Sequence, residues 1–266
     1  MTQPTQYSIR AVDPRAHHFE TRCTVSNPDP AGQRFRLPVW IPGSYLVREF
    51  ARHFVDVRAQ CNGSDIGIVK QSKDSWLAAP CDGPVSVVAK IYAFDLSVRT
   101  AYLDTTRGYF NGASVFLCPV GREDAPCVVH IEAPDDEACR DWRVATTLTA
   151  VDAAPYGFGR YAASDYAELI DHPVEMSAFA LQSFVAGDAQ HDIAISGRQS
   201  GDLARLTSDL ARVCQWHIDL FEGTTGGCAP FQRYLFQITV VGEGYGGLEH
   251  RSSTSLVCRR DELPPP

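Results

Sequence analysis

The sequence predicts an α+β fold: an N-terminal antiparallel β-sandwich over residues 1–169, followed by a partial mixed α/β unit over residues 170–266. Three observations carry this prediction. From Gln6 to about Asp165 apolar and polar residues alternate, which is the period of a half-buried strand. Between the alternating runs stand clusters of Pro, Gly, Asn and Asp, the chemistry of tight turns. Past Ile170 one long segment changes to helical spacing with strand-like runs on either side of it. A chain of 266 residues also exceeds the roughly 250 at which single cores stop growing, so two units are expected. With 44% hydrophobic and 21% charged residues both can bury a core, which excludes a disordered chain.

The elements follow in order. In the run from Phe19 to Val25 the odd positions face a core while Glu20 and Arg22 face water. Asn27-Pro28-Asp29-Pro30 and Pro42-Gly43-Ser44 mark turns. Tyr45 to His53 breaks the alternation and reads as a helical turn or an irregular crossing. Val55, Val57, Ala59 and Cys61 form the next inward stripe, closed by Asn62-Gly63-Ser64. After Asp82-Gly83-Pro84, a third stripe runs through Val85, Val87, Ala89, Ile91 and Ala93, and Cys127, Val129 and Ile131 make a fourth. Repeated short alternating strands separated by turns are the pattern of an antiparallel sandwich.

The pattern changes after residues 169–176. Phe184–Val185 and His191–Ser196 read as short strands joined by a Gly187-Asp188 hairpin turn. Asp202 to Glu222 is the clearest helix, with Leu203, Leu206, Leu210, Val213, His217 and Leu220 on one stripe. Ser200 is available as its cap, Asp202 sits in its first turn and Gly223 is its stop. Tyr234 to Val241 is a buried strand with Phe236, Ile238 and Val240 on one face.

Charge and cysteine usage exclude several classes. A net charge of −8 opposes a phosphate backbone, so no nucleic-acid partner is expected. No window approaches the roughly 18 apolar residues of a membrane span, and the N-terminus has no basic patch leading into an apolar run. A soluble, cytoplasmic protein with no membrane partner is expected. Nine cysteines, an odd number without Cys-x-x-Cys spacing, read as reduced core thiols.

The chemistry concentrates where the strand ending at Val241 runs into Gly242-Glu243-Gly244-Tyr245-Gly246-Gly247 and then Leu248-Glu249-His250. Glycines remove side-chain bulk, so another backbone can lie against this edge and extend the sheet. Glu249 beside it suits a carboxylate that accepts from a peptide's α-ammonium, which measures the chain end. From spacing alone, a Gly-rich turn carrying a solvated Glu-His pair is the first reading. Of the histidines, adjacent His17 and His18 point to opposite strand faces, and His217 reads as a core residue on the helix stripe. His250 reaches a metal only if other ligands converge on it, and Cys214 with His217 lacks any third group to make a nucleophilic pair.

Gly246-Gly247-Leu248-Glu249-His250-Arg251-Ser252-Ser253-Thr254 resembles the signature that precedes the zinc helix in the glycyl aminopeptidase family, thermolysin-like metallopeptidases that often carry a C-terminal PDZ domain. Residues 37–53, Thr106-Arg107-Gly108-Tyr109-Phe110-Asn111-Gly112 and Asp171-His172-Pro173-Val174-Glu175 agree in the same order. The resemblance implies a β-domain and the first portion of a thermolysin-like catalytic domain. It implies a zinc-dependent aminopeptidase as parent, acting on peptides with glycine-like N-terminal residues.

The His-Glu-x-x-His helix that holds zinc in such families does not occur in this chain, so zinc belongs to the parent and none is expected here. The chain then reads as an inactive N-terminal fragment, whether an expression product or a naturally shortened relative. Its partners would be a peptide, the remainder of the catalytic domain and a PDZ domain. The resemblance carries Glu249 over as amine acceptor, with Gly246, Gly247, Leu248 and His250 beside the substrate and Tyr109 and Asn111 on a loop lining the cleft. The alternatives are a non-catalytic peptide-binding or scaffold module, and self-association through apolar surface left uncovered on the second unit.

Overall fold

A computed structural model describes residues 3–223 and 226–265. The first part of the chain forms β1 (Thr5–Asp13), β2 (His18–Val25), β3 (Arg34–Arg36), β4 (Phe54–Cys61), β5 (Ser64–Ile66), β6 (Ile68–Lys70), β7 (Ser75–Ala78) and β8 (Val85–Tyr92). It continues through β9 (Ala101–Leu103), β10 (Arg107–Phe110), β11 (Cys118–Pro119), β12 (Cys127–Ile131), β13 (Arg143–Ala145), β14 (Thr149–Ala150) and β15 (Gly159–Ala163). Next come α1 (Tyr166–Ile170), β16 (Val174–Ser177), β17 (Ala180–Ala186), β18 (Ala189–Ser196), α2 (Leu203–Glu222), β19 (Arg233–Val241), β20 (Gly246–Glu249) and β21 (Ser253–Arg259).

The α+β class is the observed one. An eight-stranded sheet of order β14-β15-β12-β1-β2-β8-β4-β5 faces two four-stranded sheets, β13-β16-β10-β9 and β11-β3-β7-β6. Between them Phe19, Phe35, Phe50, Phe110 and Phe116 are fully buried, and edge-to-face contacts run from Phe19 through Phe110 to Phe116 at 5.9 and 5.6 Å. The alternation in β2, β8 and β12 places the expected residues inward. One pairing is not antiparallel: β1 runs parallel to β12, with Ile9 opposite Ile131.

Val55 departs from its stripe. The register shifts between Phe54 and Asp56, so Phe54 packs on the core and Val55 is left 56% exposed, because one extra residue in a strand reverses the phase before it. Between Tyr45 and His53 only Phe50–His53 becomes helical, as a short 3-10 turn.

β16 pairs with β10 and β13, so the chain stays within the N-terminal sheets through Ser177. We therefore place the change of fold between Ser177 and Ala180, later than the expected position at 170. Beyond it lies a five-stranded sheet of order β17-β18-β19-β21-β20. The Gly187-Asp188 turn has both residues left-handed, φ 55 and 60, which matches the twist of the β17–β18 hairpin. From β18 the chain crosses through α2 into the parallel strand β19, and β21 lies parallel to β19 on its other side.

The cap of α2 is Asp202, whose Oδ1 accepts from the Arg205 N–H at 3.0 Å; Ser200 stays outside the helix. Leu203, Leu206 and Leu210 pack on Ile193, Ile195, Ile238 and Val240 of the sheet. The stripe does not continue inward, for Val213 and Leu220 are about half exposed and His217 lies at the surface, its Nδ1 3.0 Å from the Val213 carbonyl. The expectation of a core histidine is thereby corrected: only the first half of α2 lies over the sheet, and the second half borders an apolar groove of about 440 Å³.

Candidate functional site

The Gly-rich segment becomes β20, the last strand of the five-stranded sheet, with β21 on one side only. The His250 N–H donates to Ser253 O at 2.8 Å, closing the hairpin turn. Alternation along an antiparallel pair then directs the main-chain groups of Gly246 and Leu248 toward β21 and those of Gly247 and Glu249 outward. Arg99 confirms this direction, since its Nη2 donates to Gly247 O at 3.3 Å and to Gly43 O at 3.0 Å from the outer side. Among the described residues the Gly247 N–H and the main chain of Glu249 have no hydrogen-bond partner on this outer side, although Arg99 covers the Gly247 carbonyl.

The loop after β3 seats itself on this edge. Gly43 has φ 77, a left-handed backbone that favours glycine, and it lies against Leu248, whose Cδ1 would stand 2.7 Å from a Cβ there. Leu248 is 1% exposed and belongs to the sandwich core. Its expected place beside a substrate is thus corrected: the side chain anchors the strand and faces away from the cleft.

Glu249 ends β20 exposed, and among the described residues its carboxylate has neither a salt bridge nor a hydrogen bond. It opens onto a cavity of about 330 Å³. Ile41, Pro42, Ala167 and Ile170 form the apolar wall of that cavity, and Asn111, Asp171, Glu249, His250 and Arg251 its polar wall. Four regions distant in sequence therefore converge: the loop after β3, the segment after β10, the end of α1 and the β20–β21 hairpin.

The hairpin is held from the side of α1. Asp171 Oδ1 lies 3.2 Å from His250 Nδ1, and its Oδ2 accepts from the Arg251 N–H at 3.2 Å with the Arg251 guanidinium 3.6 Å away. Burial alone would raise the Asp171 carboxyl, but these donors hold it below the usual carboxylate range. Its neighbour His172, pushed down by burial, places Nδ1 2.6 Å from Thr147 Oγ1, which also accepts from Ser252 Oγ at 3.0 Å. Residues 171 and 172 thus fix the turn 250–253 and, with it, the direction in which Glu249 points.

Of the two residues expected on a cleft-lining loop, Tyr109 is placed elsewhere. Tyr109 lies within β10, 4% exposed, its hydroxyl 2.9 Å from both the Val98 carbonyl and Ser255 Oγ. It braces the sandwich against β21 and does not reach the cavity. Asn111 does line the cavity, although it is 1% exposed overall and its Oδ1 caps the following 3-10 turn through the Ala113 N–H. The hydroxyl run is structural: Ser253, Thr254 and Ser255 are buried, and Ser255 Oγ donates to Gln237 Oε1 at 2.9 Å.

Asp171 and Arg99 had no role assignable from sequence. Asp171 stood in a stretch singled out only by resemblance, and nothing in the pattern around Arg99 marks it. Burial pushes the Cys214 thiol up, which opposes a thiolate nucleophile on α2. Among the described residues no three His, Cys, Asp or Glu side chains converge to hold a metal ion, so these residues do not fit zinc. Among the described residues no helix is long and apolar enough to cross a membrane.

Known proteins share this architecture. The peptidase M61 N-terminal domain matches residues 6–178. A solved aminopeptidase N family protein from Idiomarina loihiensis is similar at 39% identity and a TM-score of 0.93, over 98% of this chain and 43% of its own. A mutant M1 zinc metallopeptidase from Deinococcus radiodurans shares the fold at 11% identity and a TM-score of 0.55, over 96% of this chain and 60% of its own. A two-domain M1 zinc metallopeptidase mutant bound to L-arginine aligns at 12% identity and a TM-score of 0.57. No curated protein matches the chain. The chain spans less than half the length of the first of these structures and 60% of the second.

Proposed function

The chain belongs to the peptidase M61 family, matched through its N-terminal domain, and from that premise we propose that it builds the amine-recognising wall of an aminopeptidase cleft. One observation carries this reading: Glu249 holds an unpaired carboxylate at the end of an open sheet edge and at the mouth of the cavity. An extended peptide adds to β20 through the Gly247 N–H and the Glu249 main chain, and its α-ammonium meets the Glu249 carboxylate. Binding then requires a free chain end, which is the selectivity of an exopeptidase. Because main-chain bonds supply the register, the site reads the position of the amine more than the identity of side chains.

The residues here do not fit zinc, so no hydrolytic step is assigned to them. In the complete protein the metal ligands and the general base would come from sequence outside this chain, as the zinc metallopeptidase neighbours support. A preference for glycine-like first residues and a downstream PDZ domain rest on the family resemblance. The nine free thiols support a reducing compartment such as the cytoplasm. A non-catalytic peptide-binding module would use the same edge and would differ only in lacking a hydrolytic partner.

Binding of triglycine amide and of its N-acetylated form to the 266-residue chain, followed by NMR titration, tests the reading. The free amine is expected to bind and the acetylated peptide not. The substitution Glu249→Gln should weaken the free amine about tenfold at low salt, the scale of one charge-assisted hydrogen bond. Equal binding of both peptides would sink the assignment.

A further inference from the structure

The polar side of the cavity beside Glu249 is already engaged. Asn111 Oδ1 accepts from the Ala113 N–H at 3.1 Å. Asp171 lies 3.2 Å from His250 Nδ1 and accepts from the Arg251 N–H at 3.2 Å, with the Arg251 guanidinium 3.6 Å away. Of the two carboxylates in the lining, Glu249 is the one without a partner among the described residues. The other wall is hydrocarbon. Pro42 and Ala167 are exposed and Ile170 is half-buried, so part of this wall stays open to water. It is also held in place. Ile41 is anchored in the sandwich core at 4% exposed, and the end of α1 packs so closely on Gly112 that a Cβ there would stand 2.8 Å from Ile170 Cα. A preformed apolar surface next to a free carboxylate needs no rearrangement to accept a ligand.

We propose that this apolar wall receives the side chain of a bound peptide's first residue, so that the cleft prefers aliphatic, leucine-like first residues over glycine and over acidic ones. This rests on the assignment of Glu249 as the amine acceptor. The carbon that bears the α-ammonium also bears the first side chain, so an ammonium held by Glu249 brings that side chain to the mouth of the cavity. About 330 Å³ admits a branched aliphatic group, and the water it displaces lies against the carbons of Pro42, Ala167 and Ile170. Glycine has no side-chain carbon to bury there. An acidic side chain would enter beside Glu249 and Asp171, where the nearby Arg251 already serves Asp171, and would lose its water without gaining a free donor. The main-chain edge that sets the register reads no side chain, so the discrimination arises at the first residue. The glycine preference implied by the family resemblance is therefore not the one this wall favours.

Leu-Gly-Gly amide, triglycine amide, Asp-Gly-Gly amide and N-acetyl-Leu-Gly-Gly amide are titrated into the 266-residue chain, with the isoleucine methyls observed by NMR. Leu-Gly-Gly amide is expected to bind about tenfold more tightly than triglycine amide, and Asp-Gly-Gly amide no better than triglycine amide. The leucine methyls of the peptide should show cross-relaxation to the Ile170 methyls. Ala167→Trp fills the cavity from an exposed position on α1 and should bring the ratio of leucine to glycine affinity close to one. Equal binding of the leucine and glycine peptides, an aspartate peptide as tight as the leucine one, no cross-relaxation to Ile170, or an unchanged ratio in A167W overturns the proposal. Should A167W lose the signal dispersion of a folded chain, the contact to Ile170 decides instead. In each of those cases, free peptides that bind while the acetylated one does not leave the amine-acceptor assignment standing. An acetylated peptide as tight as its free form, or no saturable binding up to the solubility limit, overturns both.

Discussion

Replacing Glu175 by alanine should loosen the joint between the N-terminal sheets and the five-stranded sheet. Glu175 is 2% exposed and Arg107 7%. The Arg107 guanidinium meets the Glu175 carboxylate through Nη2 at 2.6 Å and Nε at 3.2 Å, and stands 5.4 Å from the centroids of Tyr102 and Tyr109. Ser196 Oγ of β18 donates to the same carboxylate at 2.5 Å and lies 2.8 Å from Ser177 Oγ, so the pair joins both sheets. Truncation leaves a guanidinium buried without its counter-charge, which costs about 3–5 kcal/mol.

At about 2–4 °C per kcal/mol for a chain of this size, the melting temperature of Glu175→Ala should fall by roughly 6–20 °C. The double variant Arg107→Met, Glu175→Met removes both charges and should lie far closer to the parent than either single substitution predicts. Thermal unfolding by circular dichroism on the two single variants and the double variant decides. A shift for Glu175→Ala below about 1 kcal/mol, or a double variant as damaged as the sum of the singles, would refute the reasoning.

Two further outcomes are expected. Burial pushes both His172 and His191 down, so the unfolded chain takes up protons near the ordinary histidine value of about 6.5 before the folded chain does. Stability should therefore decline as pH falls from about 7.5 to about 5, and His172→Gln should flatten that slope; a pH-independent midpoint refutes it. Asp171 and Asp192 add a second loss at lower pH. Burial would raise each, but their hydrogen-bond donors hold them below the usual range, so their contribution is present above about pH 3.9 and disappears as pH falls through the depressed folded values. On α2, Trp216 and Phe221 are 62% and 82% exposed, and replacing both by serine should abolish any concentration-dependent rise in mass seen by light scattering. An unchanged rise would place the association elsewhere.

Much of the fold was legible because strand and helix periods are local. Phe19–Val25 and Cys127–Ile131 alternate as written, Gly187-Asp188 turns as its chemistry demands, and Gly223 stops α2 with φ 70. Glu249 was singled out through the family resemblance, and the structure places it exposed at the end of β20 beside the cavity. What lay beyond it depends on contacts between residues far apart in the chain. The phase reversal at Val55 comes from a bulge against β8, and the exposure of His217 comes from how little of α2 the sheet covers. The parallel seam of β1 joins a partner more than a hundred residues away. The cavity itself required tertiary structure: Asp171 meets His250 across 79 residues and holds the turn that follows Glu249. Local spacing sets which face of a strand is apolar, while long-range packing decides which strand ends a sheet and which carboxylate remains unpaired.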